Sequence, residues 1–575
     1  MVIAGNILRK GRLWQMAACV CAIVWCLLVP AACMTPDKAV RETNETGMRL
    51  ATDFWQRQTG RTNTFDVCRP ADALTLRIAL LAAARNEQGV VFPLIPHVAA
   101  GASNGVYCLS LADSLRVAAR NDRKYQKYKE DIFFRALDLD FQQYAFETSF
   151  SGMMLGALSG GSGADQASGS ASASGERTLP DGKTVAGRLA MDVVNLLRDD
   201  WRSLDIAGDL TVTVPLMRGA GREIVREPLT QSERNLIYAI QTFENYRQTY
   251  AVSVESMYYR VLQLAQQLEN ALENERRLEE NSRRAEMMFV AGRMQRIQVD
   301  QARTDLLKAG DSVISTRTSY ETQLDAFKVW VGLPPEGKVT VDPDELERLK
   351  KQLEQMEKSS RSAVADFPDE ADSFRIALSS RHDLYNTRGL LEDAERGVKI
   401  AADALRADVA LTGGAAMSRS HATGDKGLSD EETWAGGLRV GFPWDRRKER
   451  NAFKKQLIVL EQAKRTVEEQ EDGVKAAVRS GLRNLAAARA SYENQVETMK
   501  VARLRVASND LFLQSGRSSM RDILEAESAM LAARNAFCSA VIQWRMSDLV
   551  LRRDMGVLEM SDAGTWRVVK GESRD

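Results

Sequence analysis

The chain has 575 residues, and 78 lysines and arginines face 78 aspartates and glutamates, so its formal net charge is zero. That balance gives no support for a nucleic-acid binder, whose footprint is a basic surplus, and 44% hydrophobic with 27% charged residues excludes a disordered chain. Thirteen prolines favour long uninterrupted helices, and three scattered histidines (His97, His382 and His421) are too few for a histidine-rich metal site.

At the N-terminus, Arg9, Lys10 and Arg12 precede an apolar stretch from Leu13 to Val29 that ends in Pro30-Ala31-Ala32-Cys33. A charged head, an apolar middle and small residues before a cut site make residues 1–32 a secretory signal peptide. The small pair before the cysteine resembles the lipobox of bacterial lipoproteins, with Pro30 where that pattern prefers leucine, and this makes Cys33 a lipid anchor. A retained transmembrane anchor is the competing reading, since the run approaches the ~18–20 apolar residues that span a bilayer. Met34 is not the aspartate that resembles an inner-membrane retention signal. Cys19, Cys21 and Cys26 leave with the signal. Cys68 and Cys108 either pair, as an exported chain permits, or stay free. Cys538 lies in an apolar helical pattern and reads as a small buried residue. Residues 33–108 have no counterpart elsewhere in the chain, and a helix over Ala71–Arg85 is the one element expected there.

The rest of the chain is a duplication. Ala112-Asp113-Ser114-Leu115-Arg116-Val117-Ala118 recurs as Ala371-Asp372-Ser373-Phe374-Arg375-Ile376-Ala377, and Gly208 to Leu216, ending Val-Pro-Leu, answers Gly436 to Trp444, ending Phe-Pro-Trp. Gly292-Arg293 with Ala302 matches Gly516-Arg517 with Ala526. Repeat one covers 109–335, a charged linker 336–370, repeat two 371–558 and a tail 559–575. Between the first landmark and the proline, repeat one holds 31 residues more than repeat two. The surplus coincides with a Gly/Ser/Ala-rich tract over 159–175, whose composition cannot bury a core and reads as a flexible loop insert.

Each repeat carries two strands of strict alternation. Tyr144, Phe146 and Phe150 share one face, as do Leu405, Val409 and Leu411; Leu210, Val212 and Val214 are answered by Leu438, Val440, Phe442 and Trp444. Four such strands are too few to close a barrel with a lumen, so either several chains share one or the sheet lies on a soluble core. Helices follow with a 3.5-residue apolar period. From Leu236 it runs through Ile240, Phe243 and Tyr250 to Leu278, and from Phe453 through Leu457 and Leu460 to Met499. A heptad sustained this long demands lateral partners along its whole length.

The order of these elements resembles the outer-membrane efflux protein family, the TolC-like channel-tunnels, over roughly Leu109 to Leu558. The resemblance rests on the duplicated helix–strand–strand–helix order, the Leu109 to Leu115 opening, the two strand ends, the two Gly-Arg turns, and the Trp330-Val331-Gly332-Leu333-Pro334-Pro335 close of repeat one. It implies an α+β fold in which duplicated coiled-coil hairpins form a periplasmic α-barrel, and four transmembrane strands per chain contribute to a twelve-stranded barrel shared by a homotrimer. It implies an equatorial collar that includes the linker, with a helical run over Glu345–Glu357. The implied function is passive exit through the outer membrane in a tripartite efflux or type I secretion system, with a periplasmic adaptor and an inner-membrane transporter as partners and no nucleic acid.

The same resemblance implies the sites. Gly292, Arg293, Gly516 and Arg517 mark the adaptor-docking tips, beyond the plain role of glycine as a helix C-cap. Asp522 and Glu525, three apart and so on one helical face, match positions where such tunnels carry acids lining the periplasmic mouth; Glu525 stands in place of an aspartate, and repeat one has Gln298 and Gln301 at the same offsets. The bland alternative is a solvated acidic face, and Arg517 or Arg521 are the cations expected to pair with these acids. No Walker-type loop, nucleophile elbow or metal-spaced cysteine pair occurs, so no enzyme activity and no cofactor or metal are expected. The alternative to a channel is a periplasmic coiled-coil adaptor or a structural scaffold lipoprotein, which predicts helical hairpins without barrel strands.

Overall fold

A computed structural model of the chain describes residues 34–61, 65–67, 107–159, 166–196, 202–362, 369–422, 429–442, 444–515, 517–561 and 565–568. The signal segment, Cys33, Cys68, the helix expected over Ala71–Arg85, Gly516 and the last seven residues lie outside them. The described residues open on helix α1 (Pro36–Thr59), an element the sequence did not announce. Strand β1 (Tyr107–Leu109) leads to α2 (Leu111–Asn121) and α3 (Arg123–Tyr144). Ser110 and Asp122 cap these two helices, their side-chain oxygens accepting from the amides of Asp113 and Tyr125. Four strands follow: β2 (Ser149–Ser159), β3 (Gln166–Thr178), β4 (Thr184–Leu196) and β5 (Arg202–Pro215). Repeat one ends in the hairpin α4 (Glu227–Val290) and α5 (Arg296–Trp330). The linker forms β6 (Val339–Val341) and α6 (Asp344–Ser362). Repeat two gives α7 (Glu370–Ser380), α8 (His382–Asp403), β7 (Asp408–Ala422), β8 (Ser429–Gly441), α9 (Arg447–Gln514) and α10 (Met520–Asp554). A short pair, β9 (Leu558–Met560) and β10 (Trp566–Val568), comes last.

The duplication extends to length where helices pair. Both repeats open on helices of 11 and 22 residues, and both hairpins return on a helix of 35. The outgoing helices have 64 and 68 residues, about 96 Å and 102 Å at ~1.5 Å per residue. Heptad positions are among the buried ones: Leu236, Ile240, Phe243, Val254 and Val261 in α4, and Val474, Val478, Leu485 and Tyr492 in α9, whereas Phe453, Leu457 and Leu460 at the start of α9 are half-buried. Near the sheet the helices pack in the order α3–α4–α8–α9, and farther along in the order α5–α4–α10–α9. Polar pairs tie α4 to α10 along their length: Gln263 donates to Ser539 at 2.6 Å, Asn270 to Asn535 at 2.8 Å, and Arg277 pairs with Glu527 at 3.3 Å.

Linker and tail wrap α4 at mid-length. β1 and β6 pair in parallel, and the Tyr258 hydroxyl donates to the Leu109 carbonyl while accepting from the Asp342 amide. Arg247, 2% exposed, donates to Glu244 at 2.6 Å and to the Ser561 carbonyl at 2.6 Å. Trp566 donates to the buried Glu255 at 3.0 Å, and Glu255 also accepts from Arg545. Burial pushes the Glu255 carboxyl up, against the pull of the Arg545 charge. Cys538 is buried, as expected, and Cys108 carries no disulfide among the described residues.

The sheet corrects the expected strand count. Its order is β2-β3-β4-β5-β7-β8, antiparallel throughout, so among the described residues it holds six strands in place of four. The four expected strands are present, though Tyr144 closes a helix and the first strand begins at Ser149. The other two come from the surplus of repeat one. From residue 166 onward the tract expected as a loop is strand β3, paired on both edges. Composition misled because Ala167, Gly169, Ala171, Ala173 and Gly175 alternate with Ser168, Ser170, Ser172 and Ser174. Such a strand brings little apolar area, and its ladder hydrogen bonds and its neighbours hold it in place. Among the described residues, no helix is long and apolar enough to cross a membrane.

Candidate functional site at the hairpin tips

Both hairpins turn at the end remote from the sheet. At the first turn the Arg293 amide donates to the Met288 carbonyl, and at the second the Arg517 amide donates to the Phe512 carbonyl, each at 2.8 Å. These five-residue-back bonds are the mark of a helix closed through a left-handed residue. Gly292 supplies it in the first turn, with φ +72° and open space where a Cβ would stand. Gly516 holds the matching place in sequence but lies outside the described residues. A small shared core fixes the two turns together: Leu278 and Ala285 of α4, Val299 and Ala302 of α5, Leu513 of α9, and Met520, Ile523 and Leu524 of α10. The structure therefore brings both predicted tips to one end, with the side chains of Arg293 and Arg517 exposed.

The return helices start differently. Gln295 precedes α5 without a side-chain cap, whereas Ser519 and Asp522 form a reciprocal capping box at α10. Asp522 Oδ2 accepts from the Ser519 amide at 2.9 Å, the Ser519 hydroxyl at 2.7 Å and the Ser518 hydroxyl at 3.3 Å. The Ser519 hydroxyl bond, followed by the amide bond, holds the Asp522 carboxyl below the usual range. Asp522 is thus a helix-start residue as well as an exposed acid. The Ser-x-x-Asp spacing at 519–522 carried that signal in the sequence.

Glu525 is engaged too, by a partner the sequence did not offer. Arg505 Nη2 of α9 stands 2.7 Å from Glu525 Oε1. Arg521, one of the two expected cations, lies along an open cleft of about 440 Å³ over α4, between α5 and α10. Gln301, Asp305, Lys308 and Glu525 line the same cleft. Gln301 and Glu525 sit at equal offsets from their glycines, so equivalent positions of the two repeats meet across one groove. Asp305 binds Lys308 at 3.1 Å and accepts from Gln301 at 3.2 Å. Among the described residues, no group of three or more His, Cys, Asp or Glu is placed to hold a metal ion.

Comparison with known proteins points one way. A sequence model described as outer membrane efflux protein matches residues 165–332 and 374–557. The chain is similar in structure to the Campylobacter jejuni CmeC outer membrane channel, at 15% identity and a TM-score of 0.55, covering 78% of this chain and 85% of that one. It is similar to the Vibrio cholerae outer membrane protein VceC, at 13% identity and a TM-score of 0.55, over 78% of this chain and 96% of that one. The open state of the Neisseria gonorrhoeae MtrE outer membrane channel aligns at 12% identity and a TM-score of 0.52, over 78% and 88%. No curated protein matches the sequence.

Proposed function

The chain belongs to the outer membrane efflux protein family, and we propose that three copies of it close into a channel-tunnel that gives solutes a passive exit across the outer membrane. The observation that carries this reading is the distribution of apolar side chains left uncovered. One face of the sheet presents Phe150, Met154, Leu189, Met191, Leu210, Leu411, Trp434 and Leu438, all exposed. The opposite face carries Ser170, Ser172, Arg188, Asp192, Asp205, Asp209, Thr412 and Arg439, with Met153, Leu155 and Val194 as apolar exceptions; the apolar face has its own charged end, where Arg419 pairs with Asp430 beside Glu432. Strands of 11 to 15 residues meet or exceed the ~9–11 needed to cross a bilayer. An apolar outside and a wet inside is the pattern of a transmembrane barrel.

The helices leave a matching set. α3 and α5 stand at one lateral edge of the helical layer and α9 at the other. Phe134 and Phe141 of α3, Leu307 and Ile314 of α5, and Leu504 and Leu511 of α9 are each more than 60% exposed. Uncovered rows on opposite edges suit a ring, in which the α9 edge of one copy covers the α3 and α5 edge of the next. A helical adaptor or scaffold has no use for the amphipathic sheet.

In this reading the chain does no chemistry and supplies no energy. An inner-membrane transporter drives cargo, and a periplasmic adaptor seats on the tips at Gly292, Arg293, Gly516 and Arg517. Asp522 and Glu525, tripled around the axis, set negative potential at the periplasmic mouth. Cys33 carries the lipid. Extraction from outer membranes followed by native mass spectrometry tests the assembly: a detergent-stable trimer is expected, and a monodisperse monomer with full β signal contradicts it.

A further inference from the structure

Resting on the trimer proposed above, we infer that the barrel of this protein has eighteen strands, six from each copy, because the hairpin β3–β4 is a full part of the wall. Three observations lead there. First, β3 pairs with β2 over residues 149–159 and with β4 over 166–178, and β4 pairs with β5 over 184–195, with no break in any ladder. β2 and β5 are therefore not neighbours, and the hairpin cannot leave the sheet without opening two complete ladders.

Second, the hairpin is two-sided in the same sense as the strands around it. Register places Val185, Leu189, Met191 and Val193 of β4 on the face that holds Leu204, Ile206, Leu210 and Val212 of β5. It places Arg188 opposite Asp209, and Asp192 opposite Asp205, on the other face. Leu189 is 67% exposed. A flap in water gains nothing from such a row, whereas a wall strand needs it on the lipid side.

Third, the inner turn of the hairpin is anchored. Gly182, with φ +92°, lies so close to the bend after β5 that a Cβ would meet Val225 Cγ2 at 2.8 Å and the Gly219 carbonyl oxygen at 3.0 Å. The turn is closed by the Leu179 amide donating to the Lys183 carbonyl at 2.7 Å and by an Asp181–Lys183 ion pair at 2.8 Å.

The edges then decide the closure. Among the described residues, the edges without a partner strand are β2 and β8. Strand direction alternates through the sheet, so these two run oppositely, and β8 of one copy meets β2 of the next as an antiparallel pair with no mismatch. A wall of eighteen strands has a circumference about 1.5 times that of twelve, since barrel diameter grows roughly linearly with strand number. The inner face is rich in serine, aspartate and threonine, so the wider lumen suits bulky hydrophilic cargo.

Electron cryomicroscopy of the full-length protein in lipid nanodiscs tests this by counting strands. Eighteen strands, with β3 and β4 between β2 and β5, is the expected result. A trimer with twelve wall strands and the hairpin outside the wall overturns the inference and leaves the channel proposal standing; a particle that is not a trimeric barrel overturns both. A second readout needs no map. Ser151 and Ser174 hydroxyls lie 2.7 Å apart across β2 and β3, so S151C/S174C should crosslink within one chain in membranes. No crosslink in membrane-inserted protein, while an A410C/R439C control pair across β7 and β8 crosslinks, counts against the wall position.

Discussion

Arg505 of α9 holds Glu525 of α10 by an ion pair of 2.7 Å across the second hairpin. The acid that its offset assigns to the periplasmic mouth is therefore paired within its own hairpin, while Asp522 is bound to Ser519 in the start of α10. Both acids stay exposed, so in the proposed channel both would add to the potential of the mouth, with Glu525 discounted by its partner.

Removing the partner should restore the charge. Arg505→Ala is expected to raise the cation selectivity of single channels, and Glu525→Gln to lower it relative to wild type. In the double variant Asp522→Asn/Glu525→Gln, cation selectivity and block by trivalent cations should both fall. If neither changes, the acids do not line the pore. Ser519→Ala removes the cap but no charge, so amide exchange across Met520–Ala526 should quicken with selectivity intact.

A second prediction separates core from interface. Ile523, 4% exposed in the tip core, should cost about 2–5 kcal/mol of local stability when cut to alanine. Leu504, 68% exposed on the α9 edge, should leave the helical signal of the chain unchanged when cut. It should weaken the trimer by about 1.5–3 kcal/mol per copy if the residue is buried in the ring. Dissociation temperature in detergent, followed by native gels, reads the second effect. A trimer indifferent to Leu504→Ala and Leu307→Ala argues against the ring.

The pH dependence follows from Glu273, which accepts from Arg534 and, at 2.7 Å, from Arg277. The Arg534 bond is the larger cause that holds this carboxyl below its ordinary value. A depressed carboxyl stabilises the fold above its unfolded pKa of ~4.3, and the contribution fades as pH falls through the folded value. Attachment of α10 to α4 should be level from pH 7 to about 5 and weaken below about 4. Glu273→Gln should remove that acid-side slope; an unchanged melting profile from pH 6 to 3.5 would show that the pair does not matter.

The anchor is tested by Cys33→Ala. Lipidation should be lost while the protein still inserts, because the strands hold it in the membrane. Signal-cleaved wild type without acyl mass would refute the lipid role.

How much of this was legible depends on which residues carried the signal. The heptads from Leu236 and Phe453 marked the long helices and their buried seams, because an apolar period of 3.5 residues keeps one face of a helix against a neighbour along its whole length. The Gly292 turn was legible because its left-handed φ suits glycine. The β3 strand was not, because alternation between serine and alanine or glycine carries almost no contrast in hydropathy. Its partner β4 does alternate, with Val185, Leu189, Met191 and Val193 against Arg188 and Asp192, and could have been found there. Arg505 was out of reach, as its pairing with Glu525, 20 residues away in sequence, depends on how two helices lie against each other.

Planar-bilayer recording of the purified full-length protein tests the central claim most directly. The account predicts discrete conductance steps that favour cations. Folded, trimeric protein that inserts into the bilayer and passes no current under any applied voltage, even with Asp522 and Glu525 replaced, would contradict it.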